Sequence, residues 1–426
     1  MEKFVIEGRR KLGGTLIPGG NKNEALPALA ATLLTAEPVT LRNVPRIRDV
    51  MVMCDVIKRL GATVEWIEDN TVRITAAELD GELDSELCRR VRASILFAGP
   101  LVARLGRVTL PPPGGDVIGR RRLDTHFQVL AALGAEVSFD SGYELRAKTL
   151  SGADVMMDEA SVTATENALM AAALTPGKTI LRNAAGEPHV CGLAKMLTKM
   201  GAEITGIGSN TLTIIGTSRL RGCEHTIDSD YLEIGSFIGL AAVTGAALTI
   251  ERVVPDHLRM IRMTFEKLGI HFELEGDRLH VPADQKMEVR RDLHGHVPKI
   301  DDAPWPAFPT DLMSIVITVA TQCSGTVLFF EKMFEGRMFF VDHLQNMGAQ
   351  IILCDPHRVV VVGPTPLRAG RLESPDVRAG MALLIASLCA EGETTIYNIH
   401  QIDRGYERVD EKLRALGASI RRLPVD

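Results

Sequence analysis

A short signature, a large apolar residue followed by glycine and then alanine or isoleucine, recurs six times along the chain. It reads Leu60-Gly61-Ala62, Leu133-Gly134-Ala135, Met200-Gly201-Ala202, Leu268-Gly269-Ile270, Met347-Gly348-Ala349 and Leu416-Gly417-Ala418, with successive glycines 67 to 79 residues apart. Each closes an amphipathic stretch, such as Val50 to Leu60 or Arg408 to Leu416, and glycine is the residue that best takes the left-handed backbone of a helix end. The first five run on into hairpin patterns, for example Ala62 to Ile67, a turn at Asp69-Asn70, and Thr71 to Ile74. Self-similarity at a regular period means a fold assembled from repeated units.

A second element recurs on the same register: a nearly uncharged helix, a short turn and a β-rich run. Ala25 to Leu34 precedes Val39-Thr40-Leu41, Ile95 to Ala103 precedes Val108-Thr109-Leu110, and the pattern continues to Met381 to Leu388 before Thr394-Thr395-Ile396. Each repeat thus holds two helices and about four strands, a mixed α/β class. The helix that is apolar on nearly every side belongs at the centre of its domain, and the amphipathic one nearer the surface. Six such units exceed one core, so three per domain is the natural division. The sixth repeat stops soon after Arg422 without a full closing hairpin, and the strand pattern Lys3 to Glu7 can supply the missing strand. The expected organisation is a first three-repeat domain, residues 21–228, and a discontinuous second one built from residues 1–20 and 229–426. A cleft between two such domains is the default place for a small-molecule site.

The chain of 426 residues carries 54 acidic and 48 basic side chains, a formal charge of -6. No global basic field of the kind that attracts nucleic acid is present, so any anion site must be local. The first 14 residues carry charges throughout and do not read as a signal peptide. Leu312 to Phe330 is uncharged, but Gln322, Ser324 and Gly325 interrupt it, which suits a buried helix, a turn and a strand better than a membrane span. Seven cysteines with no Cys-x-x-Cys spacing suggest neither a disulfide framework nor a zinc site. A reducing cytoplasm is the expected compartment.

Five segments carry a resemblance across nearly the whole chain: Gly20-Asn21-Lys22-Asn23, Arg92-Ala93-Ser94-Ile95, Gly114-Gly115-Asp116-Val117-Ile118-Gly119, Ala307-Phe308-Pro309-Thr310-Asp311 and Ile402-Asp403-Arg404-Gly405-Tyr406-Glu407-Arg408. Together they resemble the UDP-N-acetylglucosamine enolpyruvyl transferases (1-carboxyvinyltransferases), which open peptidoglycan synthesis. The resemblance implies a two-domain inside-out α/β barrel of six βαβαββ-type repeats, three per domain. It also implies phosphoenolpyruvate and UDP-N-acetylglucosamine as substrates, with no metal or organic cofactor. It gives no oligomeric state.

By the same resemblance Lys22 binds the phosphate of phosphoenolpyruvate and Asn23 the sugar. A lysine between the Pro18 to Gly20 turn and a helix starting near Ala25 suits an anion on physical grounds also. Three prolines and three glycines make Pro111 to Arg122 a loop, and in the family this loop is a lid whose cysteine falls at Asp116. Either residue type can hand a proton to the methylene carbon of an enol ether. Arg120 and Arg121 should hold the Asp116 carboxyl low until the anionic substrate neutralises them and raises it. Without a lid thiolate the chain is expected to be insensitive to fosfomycin.

Arg92, Arg121, Arg337, Arg378 and Arg404 match family arginines around the substrate, and forked guanidinium contacts suit a small multiply charged anion. Asp311 is implied as the base near the sugar 3'-hydroxyl, although a carboxylate preceding the buried helix at Leu312 also favours a helix start. On the nucleotide side Asp124, Ser161, Val162 and Thr163 are implied as binding residues, and there the chain departs from the family. Arg121-Arg122-Leu123-Asp124 stands for Arg-Pro-Val-Asp, Ser161-Val162-Thr163-Ala164-Thr165 for Ser-Val-Gly-Ala-Thr, and Ser229-Asp230-Tyr231-Leu232-Glu233 for Pro-Asp-Arg-Ile-Glu. A paralogue using another sugar nucleotide is therefore an alternative. The shikimate-pathway transferase fits less well, because its phosphate signature begins with Lys-Ser. A six-repeat sliding clamp is the rival from another class, but its DNA-facing helices are rich in lysine and arginine, whereas the uncharged helices here should be interior.

Overall fold

All six signature glycines take left-handed backbone, with φ of +100° at Gly61, +107° at Gly134, +115° at Gly201, +75° at Gly269, +106° at Gly348 and +100° at Gly417. The computed structural model describes residues 2–115, 118–139 and 142–425. Among these, residues 2–19, 118–120 and 229–425 form one unit, the terminal unit, and residues 20–115 and 121–228 form another, the inserted unit.

The inserted unit holds three small sheets. Their strands run in the orders Glu224–Thr226, Val39–Arg42, Thr71–Thr75, Thr63–Glu68; then Arg107–Leu110, Tyr143–Arg146, Glu136–Ser138; then Glu203–Thr205, Thr211–Gly216, Gly177–Arg182, Asp154–Met156. Glu224–Thr226, last in the sequence, pairs in parallel with Val39–Arg42, first in the sequence, so the third repeat closes on the first. The helices Lys22–Ala31, Ala98–Leu105 and Val162–Ala173 lie inside these sheets; the first and third are almost wholly buried, and Ala98–Leu105 is buried from Ala98 to Val102. Arg48–Arg59 is a helix of the outer kind. Its Val50, Val52, Met53, Val56 and Ile57 are buried, while Arg48, Lys58 and Arg59 face water, and each of those apolar side chains contributes roughly 1.5–3 kcal/mol by leaving water.

The terminal unit repeats the plan. Tyr231–Thr244, Met313–Ala320 and Val377–Cys389 pack against one another at its centre, and all eight residues of Met313–Ala320 are buried. The strand Glu2–Glu7 lies between Glu393–Tyr397 and Ser419–Pro424, antiparallel to both, with Phe4 opposite Ile396 on one side and Arg422 on the other. It thereby completes the sixth repeat, and Gly13–Leu16 joins the fourth by pairing in parallel with Ala247–Ile250. The uncharged run at Leu312 resolves into the helix Met313–Ala320 and the strand Gly325–Phe330. Among the described residues no helix is long and apolar enough to cross a membrane. All seven cysteines are free thiols, and burial pushes those of Cys54, Cys323 and Cys389 up to about 12.

Candidate active site

In the inserted unit the chain enters its first buried helix through a tight approach at Gly20, where a Cβ would stand 1.7 Å from the Asn43 carbonyl oxygen. Asn21 then caps the helix, its Oδ1 accepting the Glu24 N–H at 3.0 Å. This corrects the helix start expected near Ala25: Lys22 and Asn23 are already in the first turn, because the Asn21 side chain stops the helix N-terminus three residues earlier. Pro27, which has no N–H, leaves the Asn23 carbonyl without the usual helical donor. Lys22 Nζ lies 2.7 Å from Asp49 Oδ2, with side chains only 12% and 4% exposed. Glu24 anchors the same turn from below, since its carboxylate accepts the Asp228 N–H at 3.1 Å and stands 2.8 Å from His225 Nε2.

Arg92 opens the 3-10 helix Arg92–Phe97, which packs against Lys22–Ala31. Its guanidinium donates to the Arg121 carbonyl at 2.7 Å and to the Arg122 carbonyl at 3.4 Å. Burial, and then the charge of Arg121, bring Arg92 down to about 10. The start of the expected lid is fixed to the segment leading into this helix. A Cβ at Gly114 would meet the Arg89 carbonyl oxygen at 1.7 Å, and Gly115 has a φ of +113°. Arg122 pairs with Asp124 and with Asp158, each at 3.2 Å. Asp124 is thus the first residue of the helix Asp124–Ala132 and a partner of Arg122.

Ser161 caps the helix Val162–Ala173, its hydroxyl facing the Ala164 N–H at 3.4 Å, and Val162 and Thr163 form the first turn. Thr163 has a neighbour that no motif announces: its Oγ1 is 3.0 Å from Nε2 of His126. The other ring nitrogen, Nδ1, is 2.8 Å from the Asn167 amide nitrogen, and Asn167 Oδ1 accepts the Gly99 N–H at 2.8 Å. The amide nitrogen can only donate, so Nδ1 accepts and Nε2–H donates to Thr163. Burial, aided by Arg92, lowers His126 to about 3, so the ring is a neutral, single tautomer.

In the terminal unit Asp311, Arg337 and Arg378 come together. Asp311 sits in the 3-10 turn Thr310–Leu312 that leads into Met313–Ala320. Its Oδ1 is 2.5 Å from Arg337 and its Oδ2 3.2 Å from Arg378, the arginine side chains being 9% and 5% exposed. Arg378 is the second residue of Val377–Cys389 and lies 5.3 Å from the ring centre of Tyr406, whose hydroxyl is 2.9 Å from Ser236 Oγ. Burial opposes the charge on both arginines, but Tyr406, Asp311 and Asp230 hold Arg378 above its ordinary value, and Asp311, Asp376 and Glu331 do the same for Arg337. Burial raises the carboxyl of Asp230, the cap of Tyr231–Thr244, to about 6. The starts of all three central helices therefore meet around one guanidinium, and helix N-termini favour anions. Arg404 is buried in the 3-10 helix Ile399–Arg404, which packs on Val377–Cys389, and donates to Gln401 Oε1 at 3.0 Å.

Asp116 lies outside the described residues. Sequence reasoning missed Asp49, His126 and the pair Asp302 and Glu331, and it gave Asp230 no role beyond its place in the segment Ser229 to Glu233. Asp49 had one usable signal, an acid beside the apolar face of an amphipathic helix. The others become partners only through tertiary packing. Among the described residues no cluster of three or more histidine, cysteine or acidic side chains could hold a metal ion.

Comparison with known proteins adds three findings. Residues 6–413 match the family model described as EPSP synthase (3-phosphoshikimate 1-carboxyvinyltransferase). The chain is 57% identical over 423 residues to a protein of Bradyrhizobium diazoefficiens named UDP-N-acetylglucosamine 1-carboxyvinyltransferase, covering 99% of this chain and 98% of the relative. A protein of Treponema denticola with the same name is 56% identical over 421 residues, 99% of each. Among solved structures, the enolpyruvyl transferase NikO from Streptomyces tendae superposes with a TM-score of 0.86 at 24% identity, over 100% of this chain and 99% of that one. EPSP synthase from Acinetobacter baumannii gives 0.77 at 16%, over 100% of both chains. These two likenesses bear on the fold, which is the mixed α/β fold of the enolpyruvyl transferases.

Proposed function

The chain belongs to the enolpyruvyl transferase family, and from that premise we propose that it moves the enolpyruvyl group of phosphoenolpyruvate onto the 3'-hydroxyl of UDP-N-acetylglucosamine, releasing phosphate. Full-length identity of 57% and 56% to proteins named for that acceptor, against 16% for a solved EPSP synthase, favours the sugar nucleotide over a shikimate. The product opens peptidoglycan synthesis.

The reaction is an addition followed by an elimination. Asp116 protonates the methylene carbon, the 3'-hydroxyl attacks the resulting oxocarbenium-like carbon while its proton passes towards Asp311, and a tetrahedral ketal forms. Phosphate then leaves, its charge carried by Lys22, Arg121 and Arg404, while the new methyl group returns a proton to the Asp116 carboxylate and the methylene is restored. Fixed positive charge aimed at a transient anion is the main stabilising effect available to such a site. Asn23, Arg92, Asp124, Ser161, Val162 and Thr163 bind and orient the substrates together with Arg337 and Arg378. The observation that carries this reading is the Asp311 carboxylate held between Arg337 and Arg378. Two rigid donors fix its direction, as a base acting on one hydroxyl requires. The buried Arg337 Nε meets no acceptor among the described residues, and a substrate oxygen would satisfy it.

A phosphate-release assay with phosphoenolpyruvate across a panel of UDP-sugars tests the proposal. Release that depends on UDP-N-acetylglucosamine supports it, and a preference for another UDP-sugar would make the chain a paralogue.

A further inference from the structure

Beneath Asp311 lies a second acidic pair that the reaction above does not use. The strands Lys299–Asp301 and Gly325–Phe330 run in parallel with Asp301 opposite Phe330, so the next residues, Asp302 and Glu331, emerge side by side. Both are fully buried, at 0% exposure. Glu331 Oε1 accepts the N–H groups of Met333 and Phe334 at 3.0 and 3.1 Å, and Oε2 faces the Thr310 hydroxyl at 2.8 Å. Asp302 Oδ1 accepts the Lys332 N–H at 2.6 Å. Asp302 Oδ2 meets no N–H or O–H donor among the described residues.

Two ionised carboxylates cannot hydrogen-bond, and side by side in a dry interior they repel strongly. One proton between them removes the repulsion and satisfies the orphaned oxygen. Burial, and then the neighbouring Asp302, push Glu331 up to about 8. The surrounding charges do not replace that proton. Arg337 is a cation acting on Glu331, but its guanidinium is engaged by Asp311. Lys299 and Lys332 are both tied to Asp301. His357 Nδ1 meets the Glu331 main-chain carbonyl at 2.7 Å and not the carboxyl.

We propose that Asp302 and Glu331 share one proton and in that state act as a positioning dyad for Asp311 and Arg337. Glu331 reaches both through their neighbours. Thr310 adjoins Asp311 in the chain, and Phe334 accepts the Arg337 N–H at 3.3 Å and lies 5.3 Å from its guanidinium. The pair holds its proton below its folded pKa and loses it as pH rises through that value. The two carboxylates then separate, Thr310 and Phe334 follow them, and the Asp311 to Arg337 contact loosens. The proposal rests on the reading of Asp311 as the base.

Two measurements on the full chain, unmodified and as Asp302→Asn, test it. The asparagine amide supplies a permanent donor to Glu331 where the wild type relies on the shared proton. Infrared difference spectra should show the carbonyl stretch of a buried protonated carboxyl disappearing as pH rises through about 8 in the unmodified chain, and no such titration in the variant. Over the same range kcat should fall roughly tenfold in the unmodified chain and stay within roughly twofold in the variant. Superimposable pH profiles, or an infrared titration unchanged by the substitution, would overturn the proposal. Glu331→Gln should flatten the profile likewise and serves if the first variant does not fold. An unmodified chain without transferase activity would overturn the reading of Asp311, and the infrared titration would then decide the shared proton alone.

Discussion

Lys22 Nζ and Asp49 Oδ2 are 2.7 Å apart in a nearly closed environment, so the lysine assigned to phosphate is already paired before any substrate arrives. Removing one partner of a buried pair leaves an uncompensated charge and costs about 3–5 kcal/mol. Asp49→Asn should therefore lower the melting temperature of the free protein. Phosphoenolpyruvate, bringing its own anion to Lys22, should restore more of that loss than it adds to the unmodified chain. Thermal melts with and without the ligand check this, and equal ligand shifts in the two proteins would separate Lys22 from the phosphate.

In the proposed mechanism position 116 decides the chemistry of the lid. A carboxylate is a much weaker nucleophile towards an epoxide than a thiolate. Intact-mass measurement after incubation with fosfomycin should show no adduct on the unmodified chain and one adduct on Asp116→Cys. An adduct on the unmodified chain would mean that residue 116 does not occupy the lid position.

His126 gives a pH signature. Its folded pKa, about 3, lies below the ordinary histidine value of 6.5, so below 6.5 the unfolded chain binds a proton that the folded chain refuses. Stability then falls with acidification from 6.5 towards 3, by up to about 1.4 kcal/mol per pH unit from this residue. Asp230 acts in the opposite sense: its folded carboxyl, raised from 3.8 to about 6, favours the fold at low pH and loses that contribution as pH rises through 6. His126→Gln, which can still bond Thr163 and Asn167, should flatten the acid limb by about one proton in denaturant titrations at several pH values. An unchanged slope would mean that the ring is already neutral in both states or charged in both.

Asp311→Asn keeps the size of the side chain and removes its ability to take a proton. Turnover should fall about 10²- to 10⁴-fold, while circular dichroism remains that of the folded chain. A loss below tenfold would make Asp311 a support for Arg337 and Arg378 and not the base.

Much of the architecture could be read from the sequence because its signals are local. The left-handed glycines from Gly61 to Gly417 each mark one helix end, and the uncharged stretches mark the helices that no water touches. Even the completion of the last repeat by Glu2–Glu7 was legible, because Ser419–Pro424 lacked a partner nearby in the sequence. The start of Lys22–Ala31 was misplaced because the decisive interaction, the Asn21 side chain on the Glu24 N–H, competes with a Pro-Gly-Gly turn that points the other way. Asp49 left only the signal of an acid beside the apolar face of an amphipathic helix, and His126 and the dyad of Asp302 and Glu331 left none. Each owes its role to a residue brought beside it by packing, from 27 positions away for Lys22 and Asp49 to 37 for His126 and Thr163, and no spacing rule links such pairs.

The most direct test is to identify the product. The chain is incubated with phosphoenolpyruvate and UDP-N-acetylglucosamine, and the nucleotide is weighed by mass spectrometry alongside a phosphate assay. Transfer to the 3'-hydroxyl requires one enolpyruvyl group gained per phosphate released, and no gain on the 3'-deoxy acceptor. Phosphate release without a heavier nucleotide, or turnover only with shikimate 3-phosphate, would contradict it.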